Sequence, residues 1–228
     1  MKEIPILLQT DMVKATMVGR KTETRRTRGL DKYNEKPNDY FLFPTSDGFG
    51  AHRISDFESS HAVKCPYGKP GDILWVRETF LRLDQDHIIT SLFSYRADCD
   101  KESDEYRKEY VAAGRPYQWK PSIHMPKAVA RIWLEVLDVK IELLWDITEN
   151  GAIAEGVEQI PYFGEHIYRD YTKPVKPNTG CVFPQLSFRT LWQSINGPAS
   201  WDENPWVWVV KFKVLSITGR PIPTTQNQ

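Results

Sequence analysis

Between Lys14 and Arg28 the chain carries six basic residues (Lys14, Arg20, Lys21, Arg25, Arg26 and Arg28) and one acid, Glu23. The whole chain has a formal net charge of zero. This run is therefore a local positive field, suited to an anionic ligand or a nucleic acid. The alternative is a solvated, charged loop. Two features set the run apart from such a loop. It begins at Gly19, a residue that lets a chain turn sharply out of a helix, and Thr22 and Thr24 alternate through it. Gly19, Arg20, Lys21, Thr24 and Arg26 are the first candidates for a site.

Other constellations are sparser. His61 and Cys65 have the spacing of half a metal site, but no second pair follows at zinc-ligand spacing, so neither a metal nor another cofactor is expected. His124, within Ser-Ile-His-Met-Pro, is either a nucleobase contact or a loop histidine held by backbone. Trp75, Trp119, Trp133 and the pair Trp206 and Trp208 offer faces on which a base can stack. Alternation, however, puts Trp206 and Trp208 on an apolar, core-facing side. Glu78, next to Arg77 at a strand end, is either a partner for the basic segment or a structural residue.

The elements that must position these groups are partly legible. Met12, Val13, Thr16 and Met17 recur at helical spacing, with Thr10 or Asp11 as cap and Gly19 as the stop. Residues 20–26 then read as extended. Residues 27–62 are rich in Asn, Asp, Gly and Pro without a sustained period and read as a long loop. A turn at Tyr67–Asp72 leads into a strand, Ile73–Val76. Residues 98–112 mix both charge signs and read as an exposed, helical excursion.

From Ala128 on, Ile132, Leu134 and Val136 alternate with Arg131, Trp133 and Glu135, the pattern of a strand with one buried face. Thr148–Gly156 reads as a short helix capped by Thr148 and stopped by Gly156. Residues 158–186 read as irregular, followed by a helix over Ser187–Asn196 with Phe188, Leu191, Trp192 and Ile195 on one face. A final strand puts Trp206, Trp208, Val210, Phe212 and Val214 on one side and Lys211 and Lys213 on the other. Strands separated by turns, with a few short helices, suggest a small barrel decorated by helices.

The bulk composition bounds the function class. The chain has 228 residues, 40% hydrophobic and 26% charged, enough for one substantial core and ordinary for a globular protein. Zero net charge argues against coating nucleic acid by brute electrostatics. The three cysteines, odd in number and widely spaced, fit reduced thiols in a cytoplasm. The opening MKEIPILLQTDM has too short an apolar run for a signal peptide, and no stretch approaches membrane-spanning length, so a cytoplasmic chain without membrane partners is expected.

Gly19-x-Lys21-x-x-Thr24-x-Arg26 resembles the G-x-K-x-x-T-x-R signature of ASCH (activating signal cointegrator homology) domains, small β-barrels related to the PUA class of RNA-binding domains. Cys65–Glu78, Trp119–Pro126 and Asn204–Val210 are similar to blocks of the phage and prophage members. The resemblance implies a single domain, mixed α+β, built as an ASCH/PUA-like β-barrel with flanking short helices. Residues 27–62, 81–116 and 158–186 would be insertions. Some small bacterial ASCH proteins remove the acetyl group from N4-acetylcytidine with a lysine, a threonine and a glutamate. The resemblance carries those roles onto Lys21, Thr24 and Glu155, the last through Thr148-Glu-x-x-Ala152-x-x-Glu155. Gly19, Arg20, Arg26, Trp75, Glu78 and His124 would contact substrate. Another family member has been described as a ribonuclease, so activity varies across the fold.

Amide hydrolysis needs a nucleophile, a base, a proton donor for the leaving amine and oxyanion stabilisation. Thr24 supplies a hydroxyl, a poor nucleophile unassisted. An ordinary lysine sits roughly three units too high to act as base at neutral pH, about 4 kcal/mol. Neighbouring arginines and burial would lower Lys21, and Glu155 would raise it. Glu155 is an alternative proton shuttle, and Arg26 an anion or base contact. The partner is then RNA or a modified nucleoside. The competing readings are a non-catalytic RNA-binding module of phage origin, a metal-dependent ribonuclease, and a purely structural Lys21–Glu155 ion pair.

Overall fold

The computed structural model describes residues 1–82, 93–99, 118–176 and 179–221, with residues 108 and 112 between them. Most of the expected excursion at 98–112 lies outside the described residues. The architecture is mixed α+β, rich in strands with few helices. The chain begins with β1 (Glu3–Leu7), α1 (Thr10–Met17), β2 (Glu23–Arg26) and the one-turn α2 (Asp31–Asn34). Strands β3 (Tyr40–Thr45), β4 (Gly48–Arg53), β5 (Asp56–Val63), β6 (Ile73–Arg77), β7 (Phe80–Arg82), β8 (Phe93–Tyr95) and β9 (Trp133–Leu143) follow. Then come α3 (Glu149–Ala154), β10 (Gln159–Tyr162), β11 (Glu165–Tyr168), α4 (Pro184–Asn196) and β12 (Trp206–Ser216). None of the described helices is long and apolar enough to cross a membrane.

The main sheet has five strands in the order β1-β6-β9-β12-β2. β1 runs parallel to β6, and the other neighbours are antiparallel. β12 is the spine, paired with β9 along its length and with β2 through Trp208 opposite Arg26 and Val210 opposite Thr24. Register shifts interrupt the β9–β12 ladder at Lys211/Phe212 and Val214/Ser216, and such bulges bend and twist a sheet. The ladders leave β1 and β2 outermost, yet these two strands meet: Arg26 Nη2 on β2 donates to the Leu7 carbonyl at the end of β1, 2.6 Å away.

The expected alternation on β9 and β12 is only half of what is observed. Leu134, Val136, Trp208, Val210 and Phe212 enter the main core, with Val13, Leu30, Leu74 and Phe188. The opposite face is buried as well. Trp133 packs with Ile73, Trp75, Phe80, Met125 and Ala130 in a second cluster, and Val207 and Val209 are enclosed beside Trp206 and Trp208. A strand buried on both faces reads as a mixed apolar run, so the single-face pattern was too simple.

Two segments expected to be irregular are sheets. Residues 40–63 form the three-stranded antiparallel sheet β3-β4-β5, whose Leu42, Ala51 and Val63 join the main core. Pro44 and Gly50 lie within its strands and dilute the alternation; the ring of Phe43 lies over Gly50, where an added Cβ would come within 2.8 Å of it. Residues 159–168 form the hairpin β10-β11. Its turn residues Phe163 and Gly164 both have positive φ, 43° and 90°, as a two-residue hairpin turn of this hand requires. A phenylalanine in the place usually held by Asn or Asp hid the turn.

The helices depart less. α1 is preceded by Gln9 rather than capped by the Thr10 or Asp11 side chain. α4 begins at Pro184, three positions earlier than expected, because proline fits the first turn, where no backbone N–H is needed.

Candidate active site

The local geometry at each half of the site is set by a helix end. α1 stops with Gly19 at φ 73°; the Gly19 N–H bonds to the Thr16 carbonyl and the Arg20 N–H to the Ala15 carbonyl, the paired bonds of a left-handed helix terminus. This turn sends residues 20–22 past the end of α3. α3 itself is capped by the Thr148 hydroxyl, which accepts from the Gly151 N–H at 3.0 Å, and it ends at Gly156.

The two ends are then stitched together. The Thr22 N–H donates to the Ala154 carbonyl at 2.8 Å, and Arg20 Nε donates to the Gly156 carbonyl at 3.0 Å. Gly156 has φ 89°, and an added Cβ would lie 2.8 Å from Lys21 Cβ. Only glycine permits both the turn and the approach.

Lys21 and Glu155, 134 residues apart, consequently form a buried ion pair with Nζ 2.5 Å from Oε2. Lys21 is 2% exposed and Glu155 3%. The remaining two ammonium protons go to the Glu23 carbonyl at 2.8 Å and the Glu155 carbonyl at 2.9 Å, so all three donors of Lys21 are used. Burial pushes the Lys21 pKa down from its ordinary value, Glu155 opposes that shift, and Arg26 and Arg25 reinforce it.

Arg25 closes the other side of the carboxylate. Its Nη1 lies 3.4 Å from Glu155 Oε1, its Nε and Nη2 each lie 2.9 Å from Glu142 Oε1, and its guanidinium sits over the Phe188 ring. The guanidinium passes so near α3 that a Cβ on Gly151 would come within 2.7 Å of it. Glu23, half-buried beside this cluster, has its pKa raised, first by burial and then by the nearby carboxylates against the pull of Arg25.

These groups form the floor of a cleft of about 440 Å³ between the β1–β2 meeting point, α1 and α4. Lys21, Thr24, Arg25 and Glu155 line it together with Arg26, Thr27 and Arg28. Tyr67, Phe188, Leu191 and Trp192 supply apolar and aromatic wall, and Gln9, Ser122 and Asn196 supply polar groups. Thr24 and Arg25, consecutive on β2, are both buried, and both line the cleft. A hydroxyl, a depressed-pKa amine and a carboxylate held by two cations thus share one concave site. That combination suits proton transfer at a bound polar ligand.

Other residues singled out from the sequence lie elsewhere. Gly19 shapes the turn and Arg20 ties it to Gly156, and neither lines the cleft. Trp75 is 8% exposed and belongs to the second apolar cluster. Glu78 is buried against Arg131, not the basic segment: Arg131 Nε and Nη2 donate to its two carboxylate oxygens at 2.9 Å, and Arg131 Nη1 also reaches Asp98. His124 is exposed on a short turn of helix, Ser122–His124, of which Ser122 and Ile123, not the histidine, face the cleft. Trp133, Trp206 and Trp208 are core residues. The three cysteines are free thiols. Among the described residues no group of three or more His, Cys, Asp and Glu is placed to hold a metal ion, and His61 is exposed.

Comparison with known families, curated proteins and solved structures finds no match to this chain. Its function must be argued from the cleft. Two residues of that cleft, Tyr67 and Trp192, had no separate signal in the sequence as site residues, nor had Glu142, which anchors Arg25. Arg25 did have one: a glycine within the short helix α3 is unfavourable unless something approaches closely, and Gly151 is where Arg25 does.

Proposed function

We propose that the chain is an ASCH-like protein, its main sheet curled in the manner of a PUA-type barrel, and that the cleft binds a nucleobase and hydrolyses the amide of an N4-acylated cytidine. The observation that carries the reading is the convergence of Lys21, Thr24 and Glu155 on the floor of one cleft, with Lys21 Nζ 2.5 Å from Glu155 Oε2. The meeting of β1 and β2 at the Arg26–Leu7 bond is what a curled sheet needs. The cleft's volume is within the range of small-molecule sites, and its wall is partly aromatic, with the core residues Tyr67 and Trp192 in it.

In this reading Glu155 and Lys21 act as one proton-holding pair. Burial disfavours separated charges and lowers the Lys21 pKa. Passing one proton from Nζ to Oε2 gives a neutral amine beside a carboxylic acid. Once Nζ turns its lone pair from Oε2 toward Oγ1, the amine takes the Thr24 hydroxyl proton as Oγ1 attacks the acyl carbon, and the pair returns a proton to the departing N4 amine. Water then cleaves the acyl-threonine, releasing acetate and restoring the hydroxyl. Arg25 holds Glu155 in place, anchored by Glu142.

The test is incubation with N4-acetylcytidine, monitored for cytidine and acetate, beside Lys21→Ala and Thr24→Ala. Product that disappears in both variants, with their folds intact, supports the mechanism. Full activity in either variant removes that residue from it. No product from the unaltered protein with either N4-acetylcytidine or its 5′-monophosphate moves the reading to a non-catalytic RNA-binding module, whose affinity should fall steeply with salt.

A further inference from the structure

We infer that the ligand of this cleft carries a phosphate ester, and that Arg26 and Arg28 at the mouth clasp it, making the substrate a nucleotide rather than a free nucleoside. The inference rests on the nucleobase reading of the cleft and adds the charge of its ligand.

Four cations and one carboxylate line the cleft. The charges are sorted by depth. On the floor, Lys21 and Arg25 are matched by Glu155, Glu142 and Glu23. At the mouth, Arg26 and Arg28 pair with no carboxylate among the described residues. Arg26 is half-buried and is held by its single bond from Nη2 to the Leu7 carbonyl, while its Nε is enclosed and has no acceptor. A buried donor without a partner is unusual and is a place where a ligand oxygen is expected.

Arg28 is exposed and lines the same cleft as Arg26 and Tyr67. A guanidinium pinned by backbone and a second exposed one lining the same cleft together suit a phosphate, which two arginines can grip from two sides. Thr27, between them, adds a hydroxyl. A neutral nucleoside would leave both arginines unused.

The experiment is calorimetric titration of the full chain with cytidine, cytidine monophosphate, pyrophosphate alone and a short oligocytidylate, with Arg28→Gln as the variant. Arg28 is exposed, so this variant should fold. The expected result is that the monophosphate binds at least about tenfold tighter than cytidine. The advantage should fall below about threefold in Arg28→Gln, and should shrink as salt rises from about 50 to about 200 mM. Tight binding of the oligonucleotide together with weak binding of the monophosphate supports the clasp and assigns the phosphate to a polynucleotide backbone.

Equal affinity for cytidine and its monophosphate, with no added affinity for the oligonucleotide, overturns the inference and leaves the nucleoside reading standing. Failure of every cytidine ligand to bind sinks the nucleobase reading instead. Pyrophosphate then decides the clasp by itself: binding lost in Arg28→Gln supports it, and no binding overturns it.

Discussion

Replacing Glu155 by glutamine should expose how much of the fold depends on the Lys21 ion pair. The substitution keeps shape and hydrogen-bonding capacity but leaves the ammonium of a 2%-exposed lysine without its charged partner. Arg25 loses one contact and keeps Glu142 and Glu23. Breaking a buried pair from one side costs about 3–5 kcal/mol. For a chain of this size that is a fall in midpoint temperature of about 6–20 °C.

The loss should depend on pH in a defined direction. The Lys21 pKa is already depressed in the fold, and without Glu155 it falls further. Below that depressed value both the folded and unfolded chains carry the proton, and the full penalty is felt. Between it and the ordinary lysine value near ~10.4 the unfolded chain binds more protons, so the variant's stability rises with pH. Urea unfolding followed by tryptophan fluorescence at pH 7 and pH 9 reads both effects. The double variant Lys21→Met, Glu155→Leu removes the charges together and should regain most of the loss. A Glu155→Gln protein within about 0.5 kcal/mol of the parent, or one whose deficit grows with pH, would refute the buried-pair argument.

Gly156→Ala should destabilise the chain by about 1–3 kcal/mol, because it places a Cβ at φ 89° and 2.8 Å from Lys21 Cβ; circular-dichroism melting checks this. If the Lys21–Glu155 pair does the chemistry, the same variant should lose turnover at temperatures where it is still folded. His124→Ala, altering an exposed residue outside the cleft, should leave cytidine or nucleotide affinity within about twofold by calorimetry, and a larger loss would place the histidine in the site. Glu78→Gln strips Arg131 of a buried bidentate partner and should cost about 2–3 kcal/mol in urea unfolding while leaving ligand affinity unchanged.

Local punctuation was legible in the residues alone. Gly19, Thr148 and Gly156 act where capping chemistry says they should, because a cap or a positive φ depends on one residue and its near neighbours. The sequence also separated the basic run around Lys21 from the acid-ended helix at Glu155, and a family resemblance, rather than spacing, was what linked them. The strands β9 and β12 were legible through alternation, and β6 through the turn that precedes its short apolar run.

Which charges are buried, and with whom, is set by packing between distant segments. A stretch of six basic residues looks alike whether it is solvated or enclosed. Here the Gly19 turn and the Gly156 approach enclose Lys21 and Arg25 against Glu155 and Glu142, and leave Arg26 and Arg28 at the cleft mouth. Trp75, Glu78 and His124 were drawn away from the site by the second apolar cluster, by Arg131 and by solvent. Burial and ion pairing are sums over contacts far apart in the chain, so no window of sequence contains them.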